Sequence, residues 1–202
     1  MSFTKLVKAN ATALTVAFVL LGTASPARAA DAEAGKQKAA VCAACHGEGG
    51  NSTNPAVPSI AQQPAQFVST ALFMFREGNR KDPQMSPMAA NLSNEDMNDL
   101  AAFFSAQKAA PPGHKSNPEN AKTGPELAQK FNCTQCHGRG LLGQQHIPRL
   151  AGQQFEYLRT QLRGFKAMTR ADIDGNMTSA ARALSEKDIE VLSDFIAGAS
   201  AQ

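Results

Sequence analysis

The chain has 202 residues, 43% of them hydrophobic, and carries 20 Lys and Arg against 17 Asp and Glu. Three of the positive residues, Lys5, Lys8 and Arg28, lie in the first 30 positions, so the remainder has 17 charges of each sign. That balance leaves no basic cluster to favour nucleic acid. The remainder, about 170 residues, is long enough for one ordinary domain or two small ones.

The first 30 residues form a segment of their own. A positive start is followed by an apolar run from Ala11 to Gly22 and by Ala27-Arg28-Ala29, which has the small-x-small pattern of a cleavage site. This order is typical of a secretory signal peptide. The apolar run is shorter than the roughly 20 residues that a membrane-spanning helix needs. We therefore predict a signal peptide at 1–30 and a soluble or peripherally membrane-associated product, with an uncleaved membrane anchor as the alternative.

The rest of the chain is an internal repeat with an offset of 89 to 92 residues. Four motifs recur in the same order: Ala32-x-x-Gly35 as Ala121-x-x-Gly124, Cys42-x-x-Cys45-His46-Gly47 as Cys133-x-x-Cys136-His137-Gly138, Pro58-x-x-Ala61 as Pro148-x-x-Ala151, and Leu92-Ser93-x-x-Asp96 as Leu184-Ser185-x-x-Asp188. Between the copies, three prolines and mostly polar residues indicate an extended linker. We predict one domain at 31–112, a linker at 113–120 and a second domain at 121–202.

Each repeat is predicted to be all-α, since neither contains a convincing run of alternating strand residues. A short helix precedes each cysteine pair, and longer helices are predicted over 66–76 and 156–166. Ser93 and Ser185 are N-cap candidates for the final helices, because each has an aspartate three positions later. Apolar residues behind them form one face of an amphipathic helix. We assign these apolar residues to the core.

Cys-x-x-Cys-His is the attachment motif of c-type haem. Two cysteines three positions apart project from one helical turn, so that each can form a thioether with a vinyl group while the adjacent histidine is held against the iron. The sequence therefore predicts two covalent haem c groups. The attachment residues and proximal ligands are Cys42, Cys45 and His46 in the first repeat and Cys133, Cys136 and His137 in the second.

Three other kinds of site use paired cysteines. Two disulfides would close only tiny loops and leave the adjacent histidines unexplained. A thioredoxin-like pair needs a strand and helix context that is absent from both repeats. A zinc site that joined the two motifs would span 87 residues, whereas the usual gap is roughly 15 to 20.

The second axial ligand of each iron must come from elsewhere in the repeat. A thioether sulfur favours ferrous iron and raises the reduction potential, which suits an electron carrier. Met85 and Met177 each lie seven residues before the Leu-Ser pair of the final helix. We predict these two as axial ligands, with Met88 as the alternative to Met85. His114 and His146 have no counterpart in the other repeat and are expected to be ordinary solvated residues.

These residues resemble class I cytochromes c, and the tandem pair resembles the dihaem cytochrome c4 family over essentially all of residues 31–202. The resemblance implies an all-α fold around one haem per domain, His and Met as axial ligands, and an approximate two-fold arrangement with the haem propionates near the interface. It also implies that Pro58 and Pro148 each place a backbone carbonyl on the second ring nitrogen of the ligating histidine. Such an acceptor would orient the ring and make it a stronger donor to iron.

The implied function is outer-sphere electron transfer and not catalysis, because both axial positions of each iron are filled. The resemblance implies a periplasmic carrier in a respiratory chain, with a quinol-oxidising complex as donor and a terminal oxidase as acceptor. Two alternatives stay open. A dihaem peroxidase would need one iron with an open or displaceable site, and an electron-transfer subunit of a larger oxidoreductase would differ only in its partner.

Overall fold

The computed structural model describes residues 29–200, so all but the last two residues of the predicted signal peptide at 1–30 lie outside the described residues. Within 29–200 the chain forms helices and loops without a strand, and Gln144 and Ile147 pair in an isolated bridge. The all-α prediction is confirmed. Across the same residues no helix combines the length and the apolar character that crossing a membrane requires.

The first half of the described chain is a small helical unit. Its helices are α1 (Ala32–Lys38), α2 (Ala43–His46), α3 (Ala65–Arg76), α4 (Met85–Ala89) and α5 (Asn94–Ala106). Helix α5 packs against both α1 and α3, and α3 also contacts α4. The core between them contains Ala39, Val68, Leu100, Ala101 and Phe104.

The second half repeats this order. Its helices are α6 (Pro118–Lys130), α7 (Cys133–His137), α8 (Phe155–Lys166), α9 (Asn176–Ala181) and α10 (Glu186–Gly198). Helix α10 packs against α6 and α8, and its buried side chains include Ile189, Leu192 and Ile196. Helix α6 begins at Pro118, inside the predicted linker, because Asn117 caps it through the backbone N–H of Glu119.

The final helices begin where the sequence predicts. The Ser93 hydroxyl accepts a hydrogen bond from the Asp96 N–H at 3.1 Å, and the Asp96 carboxylate accepts one from the Ser93 N–H at 2.9 Å. Ser185 and Asp188 form the same reciprocal pair. Both capping boxes are therefore confirmed, and they satisfy backbone donors that a helix start otherwise leaves free.

The first and last helices of each half cross at a glycine. A Cβ atom at Gly35 would overlap the backbone carbonyl of Asp99, and one at Gly124 would overlap the ring of Phe195. A larger residue at either position would have to push the two helices apart. The helix crossing therefore depends on the absence of a side chain at these positions.

The two halves meet through the loops that follow their Cys-x-x-Cys-His motifs. The Gln63 side chain donates to the carbonyl oxygen of Arg149 at 2.9 Å, and the Gln153 side chain donates to that of Ser59 at 2.8 Å. Gln63 and Gln153 are equivalent positions in the repeat, as are Ser59 and Arg149, each pair being 90 residues apart. The contacts are therefore related by an approximate two-fold axis.

Candidate haem sites

Each predicted histidine ligand is buried at the end of a short helix. His46 is the last residue of α2 and His137 the last of α7, and their exposed fractions are 7% and 3%. Gly47 and Gly138 follow with φ angles of 76° and 78°. Residues other than glycine rarely adopt this left-handed backbone conformation. Each helix therefore ends at its glycine, and the chain changes direction after the histidine.

One nitrogen of each imidazole faces a proline carbonyl. The Nδ1 atom of His46 lies 2.8 Å from the carbonyl oxygen of Pro58, and that of His137 lies 2.9 Å from the carbonyl oxygen of Pro148. A carbonyl only accepts, so Nδ1 carries the proton and the Nε2 lone pair is left free to bind a metal. The ring is thereby fixed in one tautomer and one orientation.

The pKa of both histidines lies below the ordinary value for the residue. Burial is the main cause, since it disfavours the imidazolium cation, and the hydrogen bond to the proline carbonyl opposes it. Both rings are therefore neutral near neutral pH. The neutral imidazole is the form that binds a metal.

In the second half the two predicted axial donors face each other. The Nε2 atom of His137 lies 3.5 Å from the Sδ atom of Met177. Asp172 holds the start of α9, because its carboxylate accepts hydrogen bonds from the backbone N–H groups of Met177 and Thr178 at 2.8 and 3.1 Å. A nitrogen and a sulfur donor thus converge on one point.

In the first half Met85 opens α4 and is half-buried. Its backbone N–H donates to the Asp82 carboxylate at 2.8 Å, which corresponds to the contact of Asp172 with Met177. Met88 is 50% exposed to solvent. Met85 is thus the less exposed of the two candidates, and Asp82 anchors its backbone.

Three residues that are not predicted iron ligands differ in exposure and in their partners. Met168 follows α8 with a φ angle of 57° and is 67% exposed to solvent. The expectation that His114 is an ordinary solvated residue is wrong: its Nε2 atom lies 2.6 Å from the Asp194 carboxylate and its ring stacks on Phe155. His146 pairs with Asp174 at 3.2 Å.

Within each cysteine pair one thiol is half-buried and the other is exposed. None of the four forms a disulfide; Cys42 and Cys133 are half-buried, whereas Cys45 and Cys136 are exposed. Burial raises the pKa of the Cys42 and Cys133 thiols. Between 29 and 200, no three side chains among His, Cys, Asp and Glu cluster closely enough to hold a metal ion.

Several arginines lie between the two halves and were not predicted from the sequence. Arg149 is 3% exposed, and its Nε atom has no hydrogen-bond partner.

Arg80 donates to the Tyr157 hydroxyl at 3.2 Å. Burial alone would raise the pKa of Tyr157, but the charges of Arg80 and Arg170 outweigh it and lower that pKa. Arg80 and Arg170 are 90 residues apart and could have been found from the repeat.

These residues fit a haem. The His137–Met177 pair supplies an imidazole and a thioether to one point, which is an electron-transfer ligand set. The adjacent Cys-x-x-Cys turn supplies thiols for covalent attachment. The unpartnered Nε of Arg149 suits a carboxylate such as a haem propionate, because a buried guanidinium needs a counter-charge.

Comparisons with known proteins agree with this arrangement. The family model described as Cytochrome c matches residues 32–108, and the model described as Cytochrome C oxidase, cbb3-type, subunit III matches residues 119–196. The chain is 38% identical over 189 residues to cytochrome c4 of Pseudomonas aeruginosa, covering 88% of this chain and 94% of that protein. It is 31% identical over 194 residues to the thiosulfate dehydrogenase electron acceptor of Thiomonas intermedia, covering 90% and 89% respectively.

Solved structures give the same result. The crystal structure of reduced recombinant cytochrome c4 from Pseudomonas stutzeri matches this fold with a TM-score of 0.79 and 36% sequence identity, over 85% of this chain and 100% of that chain. The match therefore includes both halves and the way they are joined. The chain belongs to the cytochrome c4 family and is a dihaem electron-transfer cytochrome with two covalently bound haem c groups.

Proposed function

We propose that this chain is a periplasmic electron carrier of a respiratory chain, in which His46 and Met85 bind one iron and His137 and Met177 bind the other. The observation that carries the proposal is the 3.5 Å approach of the His137 Nε2 atom to the Met177 sulfur. An iron that bound both of these neutral donors would have no free ligand position for a substrate. We therefore propose a carrier and not an enzyme.

The bound haem iron would supply a one-electron couple. Backbone and side-chain groups of the protein hold the ligating residues in place. Pro58 and Pro148 accept from the histidine Nδ1–H groups and fix the rings, while Asp82 and Asp172 anchor the methionine segments. Ligands held in this way would change position little between the two oxidation states of a bound iron, which would favour fast electron transfer.

We propose the division that the sequence indicates, with a first cytochrome domain at 31–112, a linker that begins at 113 and a second domain after it, and we move the end of the linker from 120 to 117 because α6 begins at Pro118. The separate cores of the two halves support this division. The linker is held to the second half, since the Asp194 carboxylate accepts from the backbone N–H of Asn117 at 2.9 Å and contacts His114. Its position relative to the second core is thereby constrained.

The proposed location rests on the order of residues in the first 30 positions, which is that of an export signal. We test it by expressing the full chain in a bacterium that attaches c-type haem and by locating it by fractionation. Two covalent haems per chain in the periplasmic fraction, both low-spin, are expected. A chain that stays with the membranes after a salt wash would contradict the soluble or peripheral location.

The proposed donor is a quinol-oxidising complex and the proposed acceptor a terminal oxidase. Weak docking on a small surface suits a carrier that must release its partner quickly. Membranes that contain both complexes should reduce the protein with quinol and oxidise it with oxygen. Turnover of peroxide by the purified protein, or rapid binding of carbon monoxide, would contradict the proposal in favour of a peroxidase-like enzyme.

A second donor is suggested by one relative. The Thiomonas intermedia protein, similar over 90% of this chain, is named as an electron acceptor of thiosulfate dehydrogenase. Such a partner changes the source of electrons and leaves the haem sites as they are. Reduction of this protein by a thiosulfate dehydrogenase with thiosulfate, but not by a quinol-oxidising complex, would favour this second role.

A further inference from the structure

One peptide group lies between His46 and the opposite half of the molecule. The carbonyl of the Pro58–Ser59 peptide lies 2.8 Å from the Nδ1 atom of His46. The N–H of that same peptide donates to the Oε1 atom of Gln153, also at 2.8 Å. A glutamine of the second half is therefore two hydrogen bonds away from the predicted iron ligand of the first.

The opposite half has the same arrangement in reverse. The carbonyl of the Pro148–Arg149 peptide lies 2.9 Å from the Nδ1 atom of His137. The N–H of that peptide donates to the Oε1 atom of Gln63 at 2.9 Å. Each glutamine also donates its amide N–H to the next carbonyl along, so its oxygen is held in one orientation.

Each chain of hydrogen bonds from a glutamine through a proline peptide to a histidine, called a relay below, is shielded from solvent. The residues involved are almost fully buried, with exposed fractions of 8% for Ser59, 2% for Gln63, 3% for Arg149 and 4% for Gln153. In a medium of low dielectric constant, hydrogen bonds in a chain polarise one another. An N–H that donates makes the carbonyl of the same peptide a stronger acceptor, and a stronger acceptor on Nδ1 makes the imidazole a stronger donor to iron.

We propose that Gln153 and Gln63 are positioning residues that tune the haem of the opposite domain: Gln153 acts on the first haem through Pro58 and His46, and Gln63 acts on the second through Pro148 and His137. The proposal rests on the axial histidines assigned under Proposed function. A more strongly donating imidazole stabilises ferric over ferrous iron, so each glutamine lowers the potential of the haem across the interface. The haem of its own domain is affected less.

The crossed pattern distinguishes tuning of the opposite haem from a role that only holds the two domains together. A glutamine that only held the halves together would, when removed, move both potentials or chiefly that of its own domain. Gln154 provides a matched control. Its side chain donates to the Ser52 carbonyl across the same interface at 2.5 Å, and that bond involves neither proline peptide.

The experiment compares Gln153→Leu, Gln63→Leu and Gln154→Leu in the full holoprotein. Both reduction potentials are measured by spectroelectrochemistry, and each haem is assigned to its domain by NMR contacts. The His46 and His137 Nδ1–H resonances of the diamagnetic ferrous protein report the hydrogen bonds directly. Gln153→Leu should raise the potential of the first haem more than that of the second. It should also weaken the hydrogen bond that the His46 Nδ1–H donates to the Pro58 carbonyl. Gln63→Leu should do the reverse, and Gln154→Leu should move both resonances least.

Equal shifts of both potentials, or a larger shift in the domain that carries the substitution, would overturn the relay. So would a pattern for Gln154→Leu that equals that of Gln153→Leu. If a leucine variant does not fold, Gln153→Glu is measured instead, because it keeps an accepting oxygen. A potential of the first haem that rises above the wild-type value in this variant would contradict the proposal. A wild-type protein without two low-spin haems would instead overturn the axial ligands themselves.

Discussion

His137 and Met177 are 40 positions apart in the chain, yet the Nε2 atom of the first lies 3.5 Å from the Sδ atom of the second. The approach is produced by two anchors that act on opposite sides. Pro148 orients the ring, and Asp172 holds the start of the helix that carries the methionine. The two anchors together bring both predicted iron ligands to the same place.

The first prediction concerns that pair. Met177→Ala should convert the second haem from low-spin to high-spin, because no other thioether replaces the lost ligand. The ferric methionine–iron charge-transfer band should fall by about half, since one of two haems is affected. Met168→Ala is the control, because Met168 is 67% exposed. A band of unchanged intensity in Met177→Ala would disprove the ligand assignment.

The second prediction separates Met85 from Met88. Met85→Ala should abolish low-spin ligation of the first haem, whereas Met88→Ala should leave its spectrum unchanged, because Met88 is exposed and Met85 is anchored by Asp82. Carbon monoxide binding to the ferrous protein gives an independent measurement, since it reports an open iron position. The opposite outcome in the two variants would make Met88 the ligand.

The third prediction concerns the helix crossings. Gly124→Ala should destabilise the second half, because its new methyl group would overlap the ring of Phe195. Overpacking of this kind costs about 1–3 kcal/mol of unfolding free energy. Gly113→Ala is the matched control, with open space around it and an expected change within about 0.5 kcal/mol. Equal urea midpoints for the two variants would mean that the crossing adjusts without cost.

The fourth prediction is a pH dependence. Hydrogen bonds from Lys38 and from Ser93 lower the pKa of Asp96 from 3.8 to about 2. A lowered carboxylate pKa contributes stability that is fully present above the unfolded value and is lost as the pH falls through the folded value. Asp96→Ala removes an acidic residue from the first turn of α5 and should therefore cost about 0.3–1 kcal/mol near neutral pH. The difference from wild type should shrink between pH 4 and 2.

The measurement for this prediction is the unfolding free energy of both proteins by denaturant at several pH values. Only the difference between variant and wild type is used, because other carboxylates titrate in both proteins alike. A difference that stays constant down to pH 2 would show that the Asp96 charge contributes nothing.

Helix boundaries were predictable where the signal is local. The capping boxes at Ser93 and Ser185 depend on residues three positions apart, and the structure has both. Helix α6, by contrast, starts at Pro118 inside the predicted linker, since proline at a first helical position looks like a linker residue in the sequence. His114 was misjudged because its partner, Asp194, is 80 residues away in the chain.

The sequence by itself determined the class of cofactor, the number of haems, the repeat and the helical fold. It could do so because haem attachment needs residues at fixed short spacing, and because helices follow from local periodicity. Only the tertiary structure decided which residues of one half form hydrogen bonds with which residues of the other. The crossed contacts of Gln63 and Gln153 arise only when two similar domains dock about an approximate two-fold axis, which buries their amides against the proline peptides of the opposite half.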